Sequence, residues 1–81
     1  MTDTEIRSRL NDVFRQIFDD ESIAIYDAMT AKDVAGWDSL NHVNLVVATE
    51  KAFGVRFKTK EVHALKNVGD LVALIVRKLT A

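Results

Sequence analysis

The chain has 81 residues, a formal net charge of −1, no cysteine and no proline. That length suits one small domain with a thin core. With 48% hydrophobic and 28% charged residues the composition excludes a disordered chain, and the missing cysteine excludes a disulfide framework or a thiolate metal site.

The charge is divided along the chain. Residues 1–38 hold nine acids and four bases, a balance of −5, whereas residues 39–81 hold three acids and seven bases, a balance of +4. Nucleic-acid-binding domains have a far more basic balance, so no nucleic-acid partner is expected. Apolar runs extend only a few residues, far short of a membrane span. The start Met-Thr-Asp-Thr-Glu-Ile is acidic and lacks the pattern of a signal peptide. A soluble, cytoplasmic monomer with no membrane insertion is expected.

The first helix is expected from about Thr4 to Phe18, with Thr2 or Thr4 as cap. Ile6, Leu10, Val13, Phe14, Ile17 and Phe18 recur at steps of three and four, which places them on one face. From Asp19 to Asp38 the period is lost. Asp19-Asp20-Glu21 reads as a solvated turn. The rest reads as an ordered loop pinned by Ile25, Met29 and Val34, with room for a short helical turn around Ala31–Val34. A connection of that length in a compact domain is unusual and is often functional.

The second helix is expected from about Ser39 to Phe53, ended by Gly54 as a left-handed cap. At about 100° per residue its apolar residues form two stripes. Leu45, Val46, Thr49, Ala52 and Phe53 make one; Leu40, Val43 and Val47 make the other, nearly opposite. A helix on the outside of a small bundle needs one apolar face. The second stripe either packs against the long loop or stays exposed for a partner.

Val55-Arg56-Phe57 is a linker with Val55 and Phe57 inward. Thr59 is placed to cap a short helix from about Lys60 to Leu65, with Val62 and Leu65 inward. Asn67 caps a last helix from Val68 to about Leu79, with Asp70 at the third position as in a capping box. Its inner face is Val68, Leu71, Val72, Ile75 and Leu79. The expected fold is all-α: three main helices and one short helix in a small bundle with a long first loop, one domain over residues 1–81.

Catalytic constellations are scarce. Ser39 and His42 are three apart on a helix, within side-chain reach, but a nucleophilic pair also needs an orienting group and an oxyanion hole. Gly36-Trp37-Asp38-Ser39-Leu40 is not a Gly-x-Ser-x-Gly elbow. His42 and His63 lack ligand spacing, and Gly36, Gly54 and Gly69 each stand alone, so no metal centre or nucleotide loop is expected. One physical use of Ser39 remains. The first turn of a helix offers free N–H groups and the positive end of the dipole, which favour a phosphate. Asp38 beside it is explained as a cap, or as a metal contact for an enzyme that attaches the group.

Asp38-Ser39-Leu40 with its apolar helix, Glu50-x-x-Phe53-Gly54 at that helix's end, Asn67-Val68-Gly69-Asp70-Leu71 at the last helix, and the long first loop together resemble the acyl carrier proteins. The resemblance covers nearly the whole chain. It implies a non-catalytic carrier. A phosphopantetheinyl transferase would place 4′-phosphopantetheine from coenzyme A on Ser39, and acyl-loading and acyl-transferring enzymes would then act on the thioester formed at the arm's thiol. It also implies partner docking through Leu40, Val43 and Val47. His42 would lie where it could touch the arm, or be a partly exposed helix residue without such a role. Peptidyl carriers usually have His or Asn before the serine, so Asp38 favours the acyl side. The familiar fatty-acid carriers are acidic along the second helix. Here Asn41, His42 and Asn44 stand in its early positions and Lys58, Lys60 and Lys66 flank the short helix, which points to a specialised lipid or secondary-metabolite pathway. An aminoacyl or peptidyl carrier, and a non-carrier interaction module on the same fold, are the competing readings.

Overall fold

In the first helix, α1 (Asp3–Ile17), the start is fixed by a reciprocal pair of side chains. Thr2 Oγ1 accepts from the Glu5 N–H at 3.1 Å, and Glu5 Oε1 accepts from the Thr2 N–H at 2.9 Å, satisfying two amide groups that the helix leaves free. The helix ends where Asp19 takes φ 49° and the Asp20 N–H reaches back to the Arg15 carbonyl at 3.1 Å, the hydrogen bond of a Schellman turn. The computed structural model describes residues 1–80, so the last residue of the expected 1–81 domain lies outside it. Three further helices follow: α2 (Ser39–Phe53), α3 (Thr59–His63) and α4 (Val68–Thr80). No strand occurs among the described residues. The fold is all-α, three longer helices and one short one, as its periodicity implies.

Helix α1 packs against both α2 and α4. Ile6, Leu10, Val13 and Phe14 of α1, Leu45 and Phe53 of α2, and Val68, Leu71, Val72 and Ile75 of α4 form one core, joined by Ile23, Met29 and Val34 from the loop. Ile25 is partly buried against it. The loop is held by more than these side chains. Asn11 Oδ1 accepts from the Ile25 N–H at 2.8 Å, and Arg15 Nε donates to the Ile23 carbonyl at 2.8 Å. Midway along it the Val68 and Gly69 N–H groups donate to the Met29 and Asp27 carbonyls, each at 2.9 Å. A Cβ on Gly69 would stand 3.2 Å from the Asp27 backbone oxygen, tighter than an ordinary contact, so this close approach favours glycine. Between Thr30 and Trp37 the chain forms hydrogen-bonded turns, Asp33 N–H to Thr30 and Trp37 N–H to Val34, rather than a turn of helix.

Several local expectations are corrected. Helix α3 begins at Thr59 and ends at His63, not at Lys60 and Leu65. Glu61, at the third position, accepts from the Lys58 N–H at 2.8 Å and so draws the start back, leaving Thr59 inside the helix rather than capping it. Asn67 does cap α4, accepting from the Asp70 N–H at 2.9 Å. Asp70 accepts from the Lys66 N–H at 3.0 Å, not from Asn67, so the reciprocal box is not closed. On α4, Leu74 is buried and Leu79 exposed. Periodicity gives the angle of a residue around a helix but not how far neighbouring elements reach along it. Leu74 lies about 60° from Leu71, on the flank where Lys78 meets Glu61 of α3 at 2.8 Å.

Candidate functional site

The start of α2 is built by residues 36–42. Gly36 has φ 86°, a conformation open to glycine at little cost, and it turns the chain out of the loop. Its carbonyl accepts from the Asp38 N–H at 2.9 Å and from Asn41 Nδ2 at 2.7 Å. Asp38 is extended, with φ −100° and ψ −174°. Its Oδ1 accepts from the Asn41 N–H at 2.8 Å, and its carbonyl accepts from the His42 N–H at 2.8 Å. Asp38 is therefore the N-cap, and Ser39 is the first residue inside the helix. The Ser39 side chain is exposed, and its hydroxyl has no hydrogen-bond partner among the described residues.

Trp37 ties this turn to the core. Its indole meets the Phe14 ring edge-on at 5.3 Å and 81°, and lies 5.9 Å from the Phe18 ring. Such pairs favour edge and tilted arrangements. On the other side Trp37 Nε1 donates to His42 Nδ1 at 3.0 Å, with the two rings nearly parallel at 16°. An indole nitrogen only donates, so Nδ1 is the bare nitrogen of the His42 ring and the ring's proton sits on Nε2. His42 is half-buried and lies one helical turn beyond Ser39.

An open groove of about 780 Å³ begins beside Ser39. Val43, Val46 and Val47 of α2 line one side; Phe57, Val62 of α3, and Leu65 line the other; Asp38, Ser39 and His42 lie on its border. The wall opposite α2 depends on α3, which has only five residues. Glu61 secures it, accepting from both the Lys58 N–H and Lys78 Nζ at 2.8 Å. These two bonds, Lys78 foremost, hold the Glu61 carboxyl below the usual carboxylate range. The groove has little sequence signal. Val62 and Leu65 were legible as inward residues, but the gap between them and α2 is set by where α3 sits.

The second apolar stripe of α2 does not pack on the loop. Leu40 is 71% exposed, Val43 58% and Val47 43%. The first turn of α2 carries no acidic residue. No group of three or more His, Asp or Glu side chains able to hold a metal occurs among the described residues. An exposed, unbonded hydroxyl on the first turn of a helix, with an apolar groove at its side, fits the attachment of a phosphate-linked arm: the helix terminus favours the phosphate, and the groove can shelter an apolar cargo.

No family model matches the chain. An acyl carrier protein of Thermosynechococcus vestitus is 32% identical over the whole of both chains. Another, of Thermotoga maritima, is 38% identical over 74% of this chain and 73% of its own. Among solved structures, the solution structure of the holo acyl carrier protein from Geobacter metallireducens superposes with a TM-score of 0.87 at 43% identity, covering 93% of this chain and 86% of that one. Helices, loop and groove thus define a small helical carrier fold. The chain belongs to the acyl carrier protein family.

Proposed function

We propose that the chain carries acyl groups as thioesters on a 4′-phosphopantetheine arm joined to Ser39, in a dedicated lipid or secondary-metabolite pathway. The observation that carries this reading is Ser39 itself, exposed on the first turn of α2 at the border of an apolar groove. When bound, the arm supplies a terminal thiol, which a chain without cysteine does not have. The protein's residues do the rest without catalysing a reaction. Ser39 presents its Oγ to a phosphopantetheinyl transferase. Asp38 caps the helix through Oδ1 and leaves its second oxygen for the transferase's metal. Leu40, Val43 and Val47 give acyl-loading and acyl-transferring enzymes an apolar surface, where a few buried residues carry most binding energy.

Charge argues for the dedicated pathway. Asn41, His42 and Asn44 leave the early part of α2 without a carboxylate, and Lys58, Lys60 and Lys66 lie around α3. Electrostatic complementarity governs encounter and partner choice, so enzymes with basic docking patches are poor partners and those with neutral or acidic patches are favoured. We read residues 1–81 as one carrier domain acting as a cytoplasmic monomer. The test is incubation of the purified chain with coenzyme A, magnesium and a broad-specificity transferase. One phosphopantetheine should be added, seen as a single mass increment, and Ser39→Ala should take up none. Labelling that persists in Ser39→Ala overturns the site.

A further inference from the structure

We infer that Trp37 and His42 form a partition that sets how deeply an acyl chain enters the bundle. This rests on the reading of Ser39 as the attachment point. Beside the outer groove lies a smaller recess of about 230 Å³ whose deep wall is Leu45 and Leu71, both buried in the core. The two spaces abut, sharing Ala31, Trp37, His42, Val46 and Leu65 as lining. Of these five, Trp37 and His42 are joined to each other, by the Nε1 to Nδ1 hydrogen bond of 3.0 Å, with their rings nearly parallel. The Trp37 ring is held from behind as well, by Phe14 and Phe18. Lys66 and Asn67 line the outer rim of the recess, and its volume exceeds the roughly 150 Å³ that admits benzene, so it has room for the end of a hydrocarbon chain against Leu45 and Leu71.

Ser39, His42 and Val46 fall on one face of α2, spaced three and four apart. A chain that starts at Ser39 and runs along this face meets His42 first. With the partition closed it stays in the outer groove, against Val43, Val47 and Val62. To reach Leu45 and Leu71 it must part the two rings, which breaks their hydrogen bond and leaves the indole N–H in need of a partner. Leaving a buried donor unpaired costs as much as the burial of about one to four methylenes gains. A chain extending only slightly past His42 is therefore kept out, and one with several carbons to bury opens the pair. Trp37 and His42 are specificity-determining residues for cargo length.

The test loads the protein with a series of straight acyl chains from butyryl to decanoyl, verifies each adduct by intact mass, and follows backbone amide signals. In the wild type the short chains should shift Val43, Val47 and Val62 while Leu45 and Leu71 stay in place. In His42→Ala the Leu45 and Leu71 signals should begin to move at a chain at least two carbons shorter than in the wild type. Trp37→Phe, which keeps a ring against Phe14 and Phe18 but cannot donate, should shift the threshold the same way and serves if His42→Ala does not fold. An unchanged threshold in the folded variants overturns the partition. So does a wild type whose Leu71 responds to every chain. Benzene added to the unmodified protein tests the partition without the arm. It should shift Leu45 and Leu71 in a variant at a concentration at least tenfold below that needed in the wild type, and an equal response overturns the inference. Failure of the mass increment overturns the attachment at Ser39 instead, and the benzene titration still decides the partition.

Discussion

Asp38 and Ser39 are neighbours that use one helix terminus in different ways. Asp38 takes the Asn41 N–H, and Ser39 is left exposed with its hydroxyl free. Replacing a capping Asp by Ala costs about 1 kcal/mol, while Asn caps almost as well. Asp38→Ala should therefore lower the unfolding free energy by about 1 kcal/mol in urea titrations, and Asp38→Asn should leave it nearly unchanged. If the second Asp38 oxygen meets the transferase's metal as proposed, Asp38→Asn should still slow modification. Equal rates for Asp38→Asn and wild type would confine Asp38 to capping. Asn11 is a second residue whose work is local. Its side chain joins α1 to the Ile23 and Ile25 backbone. Asn11→Ala leaves a partly buried N–H unpaired, at a cost of about 1–3 kcal/mol. Amide exchange at Ile25 should rise in that variant, and unchanged protection there would show that the apolar contacts alone hold the loop.

At the scale of elements, the helices were the most legible part of the sequence because their signals are local. The bounds of α2 follow from Ser39 after a capping Asp38 and from Gly54 at φ 64°. The bounds of α1 lie one residue from those expected. Gly54 and Asp19 both occupy the left-handed position that ends a helix, but only one is glycine. Gly54→Ala should cost about 1 kcal/mol, the usual penalty for an L side chain there, and a smaller loss would mean that the turn re-forms. The loop was legible only in its anchors. Met29 and Val34 show as apolar residues in a polar stretch, but nothing periodic links Asn11 and Arg15 to the Ile23 and Ile25 backbone. Those bonds span 8 to 14 residues and follow from how the chain folds back on α1. The groove is hidden for the same reason. Its walls come from α2, the linker and α3, and no pattern in the chain gives the gap between them. Leu40, Val43 and Val47 were different: a surplus stripe shows in the helical period, and its exposure rules out packing on the loop.

For the molecule as a whole, ion pairs add to the packing between elements. Arg7 binds Asp27, joining α1 to the loop, and Lys78 binds Glu61, joining α4 to α3. Both carboxyls are held below their ordinary values, Asp27 by Arg7 and Glu61 by Lys78 and the Lys58 N–H. A depressed folded pKa means that the unfolded chain binds protons first as pH falls. The stabilisation is thus fully present above the unfolded values of about 4 and is lost as pH drops through the lower folded ones. Unfolding free energy should fall as pH drops below about 4, with a shallower fall in Glu61→Gln. A decline equally steep in that variant would remove Glu61 from the account. The central claim concerns Ser39, and the intact mass of the protein isolated from its own organism tests it most directly. The account predicts the mass of the chain plus one 4′-phosphopantetheine, alone or with an acyl group, and the unmodified mass in Ser39→Ala expressed in the same cells. A wild-type protein found only at the mass of the bare chain, or an adduct that survives Ser39→Ala, would contradict it.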